Sequence, residues 1–192
     1  MRSNKAIFLD RDGTINKMIY YPEEGLLDCP FIPSQFELLP RVGEALRLLR
    51  EKGYLLIVVS NQGGLAKGTI TERNFLDMTK KMIKLLKSEG VTLDDYYYAF
   101  FHKDGKIKKF KKDAHLRKPN PGMLLEAAKK HNIDLKRSYI IGDGTVDIKA
   151  GKMAGCKTIF LGSLKPGLYK YLDGAMPDYV CADLLEAVEK VV

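Results

Sequence analysis

The stretch "AIFLDRDGTIN", residues 6–16, decides the fold. Four apolar residues run directly into two aspartates, Asp10 and Asp12, and Gly13 then permits a tight turn. A short run that is wholly apolar is typical of a strand covered on both faces of a sheet. Two carboxylates at the end of such a strand repel each other unless a cation or a shared proton neutralises them. A hard divalent cation such as Mg²⁺ suits these oxygen ligands.

Similar apolar runs recur along the chain, separated by helical patterns. The further runs are 54–60, 96–101, 138–143 and 157–162, and the helical patterns cover 42–53, 71–90, 121–132, 145–155 and 182–192. This alternation predicts an α/β protein with a Rossmann-like, three-layer α/β/α arrangement around a central parallel sheet. Because no linker or internal repeat interrupts it, we expect one domain over residues 1–192.

Polar residues follow these strands at the edge where parallel sheets bind their ligands. Asp10 follows the first strand, residues 60–62 follow the second, and Asp143 follows the fourth, with Asp147 one turn later. A single aspartate in such a place is usually a helix cap or a turn residue. Carboxylates at successive strand ends instead favour a shared cation site.

Composition and charge narrow the class of protein. The chain has 192 residues, of which 45% are hydrophobic and 29% charged, as in soluble globular proteins. It has neither an 18-residue apolar run nor a recognisable signal peptide, so we expect a cytoplasmic protein without a membrane segment. The three scattered cysteines predict neither a disulfide framework nor a cysteine zinc site. The net charge of +8 favours anionic partners such as phosphate esters, nucleic acid or acidic surfaces.

Four motifs, in order along the chain, resemble those of the haloacid dehalogenase superfamily of phosphatases. They read "FLDRDGT", "VVSNQGG", "RKPNPG" and "IIGDGTVDI". More narrowly, "FLDRDGTIN", "SNQGGLAKG" and "RKPNPGML" are similar to the branch that contains D-glycero-D-manno-heptose 1,7-bisphosphate phosphatases and histidinol-phosphatases. The resemblance implies a Mg²⁺-dependent phosphomonoesterase acting on a small phosphorylated metabolite, either a sugar bisphosphate or, as the alternative, histidinol phosphate.

The resemblance also implies a role for each motif residue. Asp10 would be the nucleophile that forms an aspartyl-phosphate, and Asp12 the general acid and then the base. Ser60 and the backbone of Asn61 would bind the phosphoryl oxygens, and Lys118 would tie the nucleophile to the phosphoryl group. The implied Mg²⁺ ligands are Asp10, the carbonyl of Asp12 and Asp143, with Asp147 supporting them from behind.

The chain departs from this branch in the loop that usually binds zinc. Ala99, Phe101, Ala114 and Leu116 stand where the branch has its zinc-binding cysteines and a histidine. His102 and His115 alone are too few for a structural zinc site, which usually has four ligands. We therefore expect no zinc, and we interpret both histidines as loop residues.

The same loop, residues 102–118, is strongly basic, with eight Lys or Arg against two Asp. It is either a solvated surface loop or a positive rim that attracts the distal, anionic part of the substrate. In the second interpretation Arg117 makes the distal contact, Lys67 assists, and Arg11 also binds substrate. Gly144 replaces the Lys or Arg that often follows the fourth-motif aspartate, which weakens the prediction of the substrate but not that of Mg²⁺.

The remaining long loop, residues 17–40, is too short for a large cap domain, so we expect a minimal cap. Tyr20, Tyr21 and Phe31 either wall the substrate pocket or only pack the loop down.

Two other functions compete with a small-molecule phosphatase. A polynucleotide 3′-phosphatase suits the basic charge, but the chain lacks a stripe of interleaved aromatic residues, so we do not expect nucleic-acid binding. A non-catalytic scaffold is disfavoured by the intact motifs. The sequence indicates no oligomeric state.

Overall fold

A computed structural model describes residues 3–111 and 114–192 of the chain. Its strands are β1 Ala6–Leu9, β2 Ile19–Tyr21, β3 Leu26–Asp28, β4 Leu55–Asn61, β5 Asp95–Ala99, β6 Tyr139–Gly142, β7 Lys157–Leu161 and β8 Tyr179–Cys181. Its α-helices are α1 Val42–Glu51, α2 Gly64–Lys67, α3 Glu72–Ser88, α4 Gly122–His131, α5 Thr145–Ala154, α6 Pro166–Leu172 and α7 Leu184–Lys190.

Six strands form a parallel sheet in the order β5-β4-β1-β6-β7-β8. The chain builds outward from β1 to β4 and β5, and then returns to the other side of β1 with β6. Strand β1 therefore pairs with β4 on one side and with β6 on the other. The carboxyl ends of β1 and β6 flank the point where the strand order reverses, which is where open α/β sheets form their ligand crevice.

The period of two along β1 divides the core between the two faces of the sheet. Ile7 and Leu9 pack into the larger apolar cluster, which is covered by α1, α3 and α7. Ala6 and Phe8 pack into the cluster beneath α4 and α5. All four side chains are fully buried, so β1 is held rigidly on both faces and the residues that follow it start from a fixed point.

The predicted α/β/α architecture is confirmed, and each of the five predicted strands and five predicted helices is present with slightly different bounds. Strand β4 continues to Asn61, so Ser60 and Asn61 lie within the strand rather than after it. The sequence patterns missed β8 and the helices α2 and α6. Among the described residues, no helix combines the length and apolar character that a membrane crossing needs.

The predicted loop 17–40 contains an antiparallel hairpin, in which β2 pairs with β3. The rings of Tyr21 and Phe31 stack with their centroids 4.4 Å apart. Two residues of the basic loop 102–118, Lys112 and Asp113, lie outside the described residues.

Candidate active site

Three carboxylates meet at the carboxyl edge of the sheet. Asp10 follows β1, Asp143 follows β6, and Asp147 lies in the first turn of α5. One carboxylate oxygen of each lies within 4.8 Å of the corresponding oxygens of the other two. The pairing of β1 with β6 brings Asp10 and Asp143 together. Leu9, near the end of β1, is paired with Ile141, near the end of β6, so the two strands end side by side at the same edge of the sheet.

Gly13 makes this convergence possible. Its φ of +82° lies in the left-handed region, and a Cβ atom at this position would come within 2.0 Å of Asp143 Oδ2. A side chain here would therefore displace the Asp143 carboxylate from the site. The glycine of the first motif is needed both for the turn and for the close approach.

Lys118 brings a positive charge to the three acids. Its Nζ atom lies 2.9 Å from Asp10 Oδ1 and 2.5 Å from Asp147 Oδ1, and it donates a hydrogen bond to the carbonyl of Val59 at 2.7 Å. The side chain is only 1% exposed. Burial opposes the charge on Lys118, but Asp10 and Asp147 outweigh burial and raise its pKa to about 12. The lysine therefore stays protonated while its stem is enclosed.

Asn61 fixes the backbone of Lys118. Its Nδ2 atom donates to the Lys118 carbonyl and its Oδ1 accepts from the Lys118 amide, both at 3.0 Å. The end of β4 is thus tied to the "RKPNPG" segment by a pair of hydrogen bonds. Ser60, one residue earlier, is 1% exposed, and its Oγ accepts a hydrogen bond from Gln62.

Asp12 lies beside this cluster, and the structure places Arg11 with it. Both oxygens of Asp12 accept hydrogen bonds from the Arg11 guanidinium, at 2.9–3.2 Å. The Arg11 side chain is completely buried, with its guanidinium 5.9 Å from the ring centroid of Phe36. Arg11 therefore supports Asp12 through its Nε and Nη2 atoms, whereas its Nη1 has no hydrogen-bond partner among the described residues. That Arg11 also binds substrate stays a prediction.

The electrostatics of the three acids suit a divalent cation. Three carboxylates against one ammonium leave an excess of negative charge in a partly buried place, in which Asp147 is fully buried and the other two acids are accessible to solvent. Burial, followed by the charges of Asp10 and Asp147, raises the pKa of Asp143 to about 7. Such a shift indicates a carboxylate whose charge is not yet compensated by its neighbours. An all-oxygen donor set with uncompensated negative charge is what Mg²⁺ prefers, so the residues fit that ion.

A cavity of about 350 Å³ opens next to this cluster. Asn61 lines it, as do the aromatic pair Tyr21 and Phe31 from the hairpin segment. Lys67 and Arg117 also line this cavity. Both aromatic residues therefore wall a pocket as well as pack against each other, whereas Tyr20 is 63% exposed and points away from the core.

The two loop histidines lie at different places. His102 lines the cavity with Arg117, and burial together with the charges of Lys67 and Arg117 lowers its pKa. His115 lies near Glu126 of α4, at 3.8 Å. That zinc plays no part stays a prediction.

Comparison with known proteins decides the family. The chain is 44% identical over 163 residues to the D-glycero-beta-D-manno-heptose-1,7-bisphosphate 7-phosphatase of Pasteurella multocida, covering 84% of each chain. The chain belongs to the haloacid dehalogenase-like hydrolase family. A family model described as HAD-hydrolase-like also matches residues 115–187. The predicted resemblance is confirmed, and the protein is a phosphatase.

Two further members of the haloacid dehalogenase-like family extend the match to nearly the whole chain. The Escherichia coli K12 protein of the same name is 38% identical over 192 residues, covering 98% of this chain and 96% of its own. The crystal structure of D,D-heptose 1,7-bisphosphate phosphatase from B. bronchiseptica, complexed with magnesium and phosphate, matches with a TM-score of 0.77 at 26% identity, covering 97% of each chain.

The structure brings together most of the site residues expected of a haloacid dehalogenase-like enzyme, and adds others that the sequence patterns did not reveal. Asp10, Lys118 and Asp143 lie in one cluster, with Asp147 in direct contact with Lys118. Gln62 is one of these added residues. Its side chain is buried and donates to Asp12 from the end of the neighbouring strand β4, and no spacing rule in the sequence signals that contact.

Proposed function

We propose that this chain is a Mg²⁺-dependent phosphomonoesterase that hydrolyses a small sugar bisphosphate, of which D-glycero-D-manno-heptose 1,7-bisphosphate is the candidate we favour. The observation that carries the proposal is the position of Lys118 Nζ, 2.9 Å from Asp10 Oδ1, in a cluster that also contains Asp143. A carboxylate meets an anionic phosphoryl group only where positive charge is fixed beside it. The names of the relatives support the class of substrate.

In the proposed reaction, a carboxylate oxygen of Asp10 attacks phosphorus and the bond to the sugar oxygen breaks. Asp12 gives its proton to the leaving sugar oxygen, and then accepts a proton from the water that hydrolyses the aspartyl-phosphate. Lys118 neutralises charge between the nucleophile and the phosphoryl group. The Ser60 hydroxyl has a donor proton left for a phosphoryl oxygen, because its Oγ acts as the acceptor in its bond with Gln62.

Asp10, Asp143 and the carbonyl of Asp12 are the residues that would hold Mg²⁺. When bound, the ion supplies positive charge that lets the anionic phosphoryl group approach the carboxylates. Asp147 supports the arrangement from the side of Lys118, and its Oδ2 accepts a hydrogen bond from the amide of Gly144. That amide fixes the first turn of α5 beside Asp143.

The distal phosphate of the substrate is assigned to the cavity wall that carries Lys67 and Arg117. A guanidinium binds phosphate oxygens through paired hydrogen bonds. Arg117 Nη1 donates to the carbonyl of Phe101 at 3.1 Å, which orients the guanidinium and leaves other donors available. We expect Arg117→Met to raise KM for a bisphosphate about tenfold or more, in the range of a lost charge-assisted contact, with little change for a monophosphate. Lys129→Met on the exposed side of α4 is the control.

The proposal is tested by phosphate release from a panel of substrates with the purified full chain. The panel contains heptose 1,7-bisphosphate, histidinol phosphate and a 3′-phosphorylated oligonucleotide, each with Mg²⁺ and with EDTA. We expect the highest kcat/KM for the bisphosphate, complete dependence on a divalent cation, and no turnover by Asp10→Asn. Preference for histidinol phosphate or for the oligonucleotide would contradict the substrate, and turnover by Asp10→Asn would contradict the covalent mechanism.

A further inference from the structure

Among residues 3–111 and 114–192, three side chains donate hydrogen bonds to the Asp12 carboxylate, and one of the three comes from outside the Asp12 loop. Arg11 and Asn16 belong to the same turn as Asp12, and Asn16 Nδ2 donates to Asp12 Oδ1 at 3.0 Å. Gln62 follows β4, and its Nε2 donates to Asp12 Oδ2 at 2.7 Å. The first two donors move with the loop, so Gln62 alone among these three fixes Asp12 relative to the sheet.

The same amide group of Gln62 also reaches the second motif. Its Nε2 lies 3.1 Å from Ser60 Oγ as well as 2.7 Å from Asp12 Oδ2. The residue is 1% exposed, and its backbone amide donates to the carbonyl of Ala99 at 2.8 Å. Gln62 is therefore anchored at both ends, and it sets the distance between Asp12 and the hydroxyl that faces the phosphoryl group.

We propose that Gln62 is a positioning residue that aligns Asp12 with the leaving-group oxygen of the substrate. This inference rests on the proposed function, in which Asp12 is the general acid. Proton transfer requires the acid within hydrogen-bond reach of the leaving oxygen, and a displacement of the order of 1 Å lowers the rate strongly. Gln62 fixes that geometry through Asp12 and does not itself touch the substrate.

The chemistry of the leaving group separates this role from a merely structural one. When the phosphorus–oxygen bond breaks, the electron pair goes to the leaving oxygen. A sugar alkoxide is strongly basic and needs the proton of Asp12 as it leaves, whereas p-nitrophenolate leaves as the anion. A misaligned Asp12 therefore slows the cleavage of a sugar phosphate far more than that of p-nitrophenyl phosphate.

The experiment measures kcat/KM of Gln62→Met for both substrates, since kcat/KM reports the steps up to release of the alcohol. Methionine keeps the length of the side chain and removes the donor. We expect a loss of about 100-fold or more for the sugar phosphate, the lower range of what general acid catalysis contributes, and less than about tenfold for p-nitrophenyl phosphate. Equal losses for the two substrates, or no loss, would overturn the proposal.

Two comparison variants make each outcome decisive. Thr79→Val removes a buried hydroxyl that donates to the carbonyl of Phe75 within α3 rather than to Asp12, and it should change both substrates equally and little. Asp12→Asn should show the same dependence on the leaving group as Gln62→Met. If Asp12→Asn shows it and Gln62→Met does not, the role of Gln62 is wrong while the proposed function stands. If neither shows it, the acid role of Asp12 is wrong. Gln62→Leu replaces Gln62→Met if the latter fails to fold.

Discussion

Replacing Lys118 by methionine tests, through the free energy of unfolding, whether this ammonium neutralises the carboxylates of Asp10 and Asp147. The side chain is 1% exposed and its ammonium lies within 2.9 Å of two carboxylates, those of Asp10 and Asp147. Lys118→Met keeps most of the volume but leaves buried negative charge without a partner. Removal of one member of a buried ion pair costs about 3–5 kcal/mol, which is a large part of the 5–15 kcal/mol that stabilises a typical domain.

The pH dependence of that loss identifies its cause. Lys118 has a pKa of about 12 and so stays charged in the wild type over the working range. Burial already raises the pKa of Asp147 and Asp143, and loss of the ammonium raises them further. The variant can therefore relieve its unpaired charge by taking up protons more completely at pH 5 than at pH 8. We expect a larger deficit in free energy of unfolding at pH 8 and a clearly smaller one at pH 5.

The assay is urea unfolding in EDTA at both pH values, with Lys129→Met as the matched control on an exposed helix face. The control should change the free energy of unfolding by no more than about 0.5 kcal/mol at either pH. Added Mg²⁺ should reduce the deficit of Lys118→Met at pH 8, since it neutralises the same carboxylates. A deficit below about 1 kcal/mol at pH 8, or one that does not depend on pH, would refute the reasoning.

Two more predictions concern Asp143 and the glycine beside it. Burial and the charges of Asp10 and Asp147 raise the pKa of Asp143 from its ordinary value of 3.8 to about 7 in the folded state, so this group favours folding most at low pH and works against it as the pH rises to 7. Calorimetry should therefore show that Mg²⁺ raises the melting temperature much more at pH 8 than at pH 5; an equal rise would contradict the shift. Gly13→Ala should abolish Mg²⁺-dependent phosphate release, whereas Gly155→Ala, with a similar φ of +84° and no atom within 4 Å of its Cβ position, should keep it.

The sequence predicts the fold because the buried strands of a parallel sheet leave a clear apolar signature. "AIFL" and "YLLIVV" are short runs, rich in apolar residues and bounded by polar or turn residues, which is typical of strands in a sheet covered on both faces. Strand β8 carries no such signature, since it has three residues and lies at the edge of the sheet with Tyr179 and Val180 exposed. The hairpin of β2 and β3 is also short and exposed, so its pattern resembles that of an ordinary loop.

The candidate site was predictable where it depends on chain position, and less so where it depends on side-chain direction. Asp10 and Asp143 follow adjacent parallel strands, so their meeting follows from topology alone. Whether the side chain of Arg11 faces the substrate or the interior depends on the path of the turn, and here it turns inward to Asp12. The contact of Gln62 with Asp12 depends on the register between β4 and β1, which the sequence does not display.

The central claim is that Asp10 attacks phosphorus because positive charge is placed beside it. Lys118 supplies one part of that charge, and the Mg²⁺ that the neighbouring acids would hold supplies the other. The most direct test is to quench the enzyme during turnover, reduce any aspartyl-phosphate with borohydride, and map the modified residue by mass spectrometry. The account predicts conversion of Asp10 to homoserine, dependent on both substrate and Mg²⁺ and absent in EDTA. Turnover with no modification at Asp10, or with modification at another carboxylate, would contradict it.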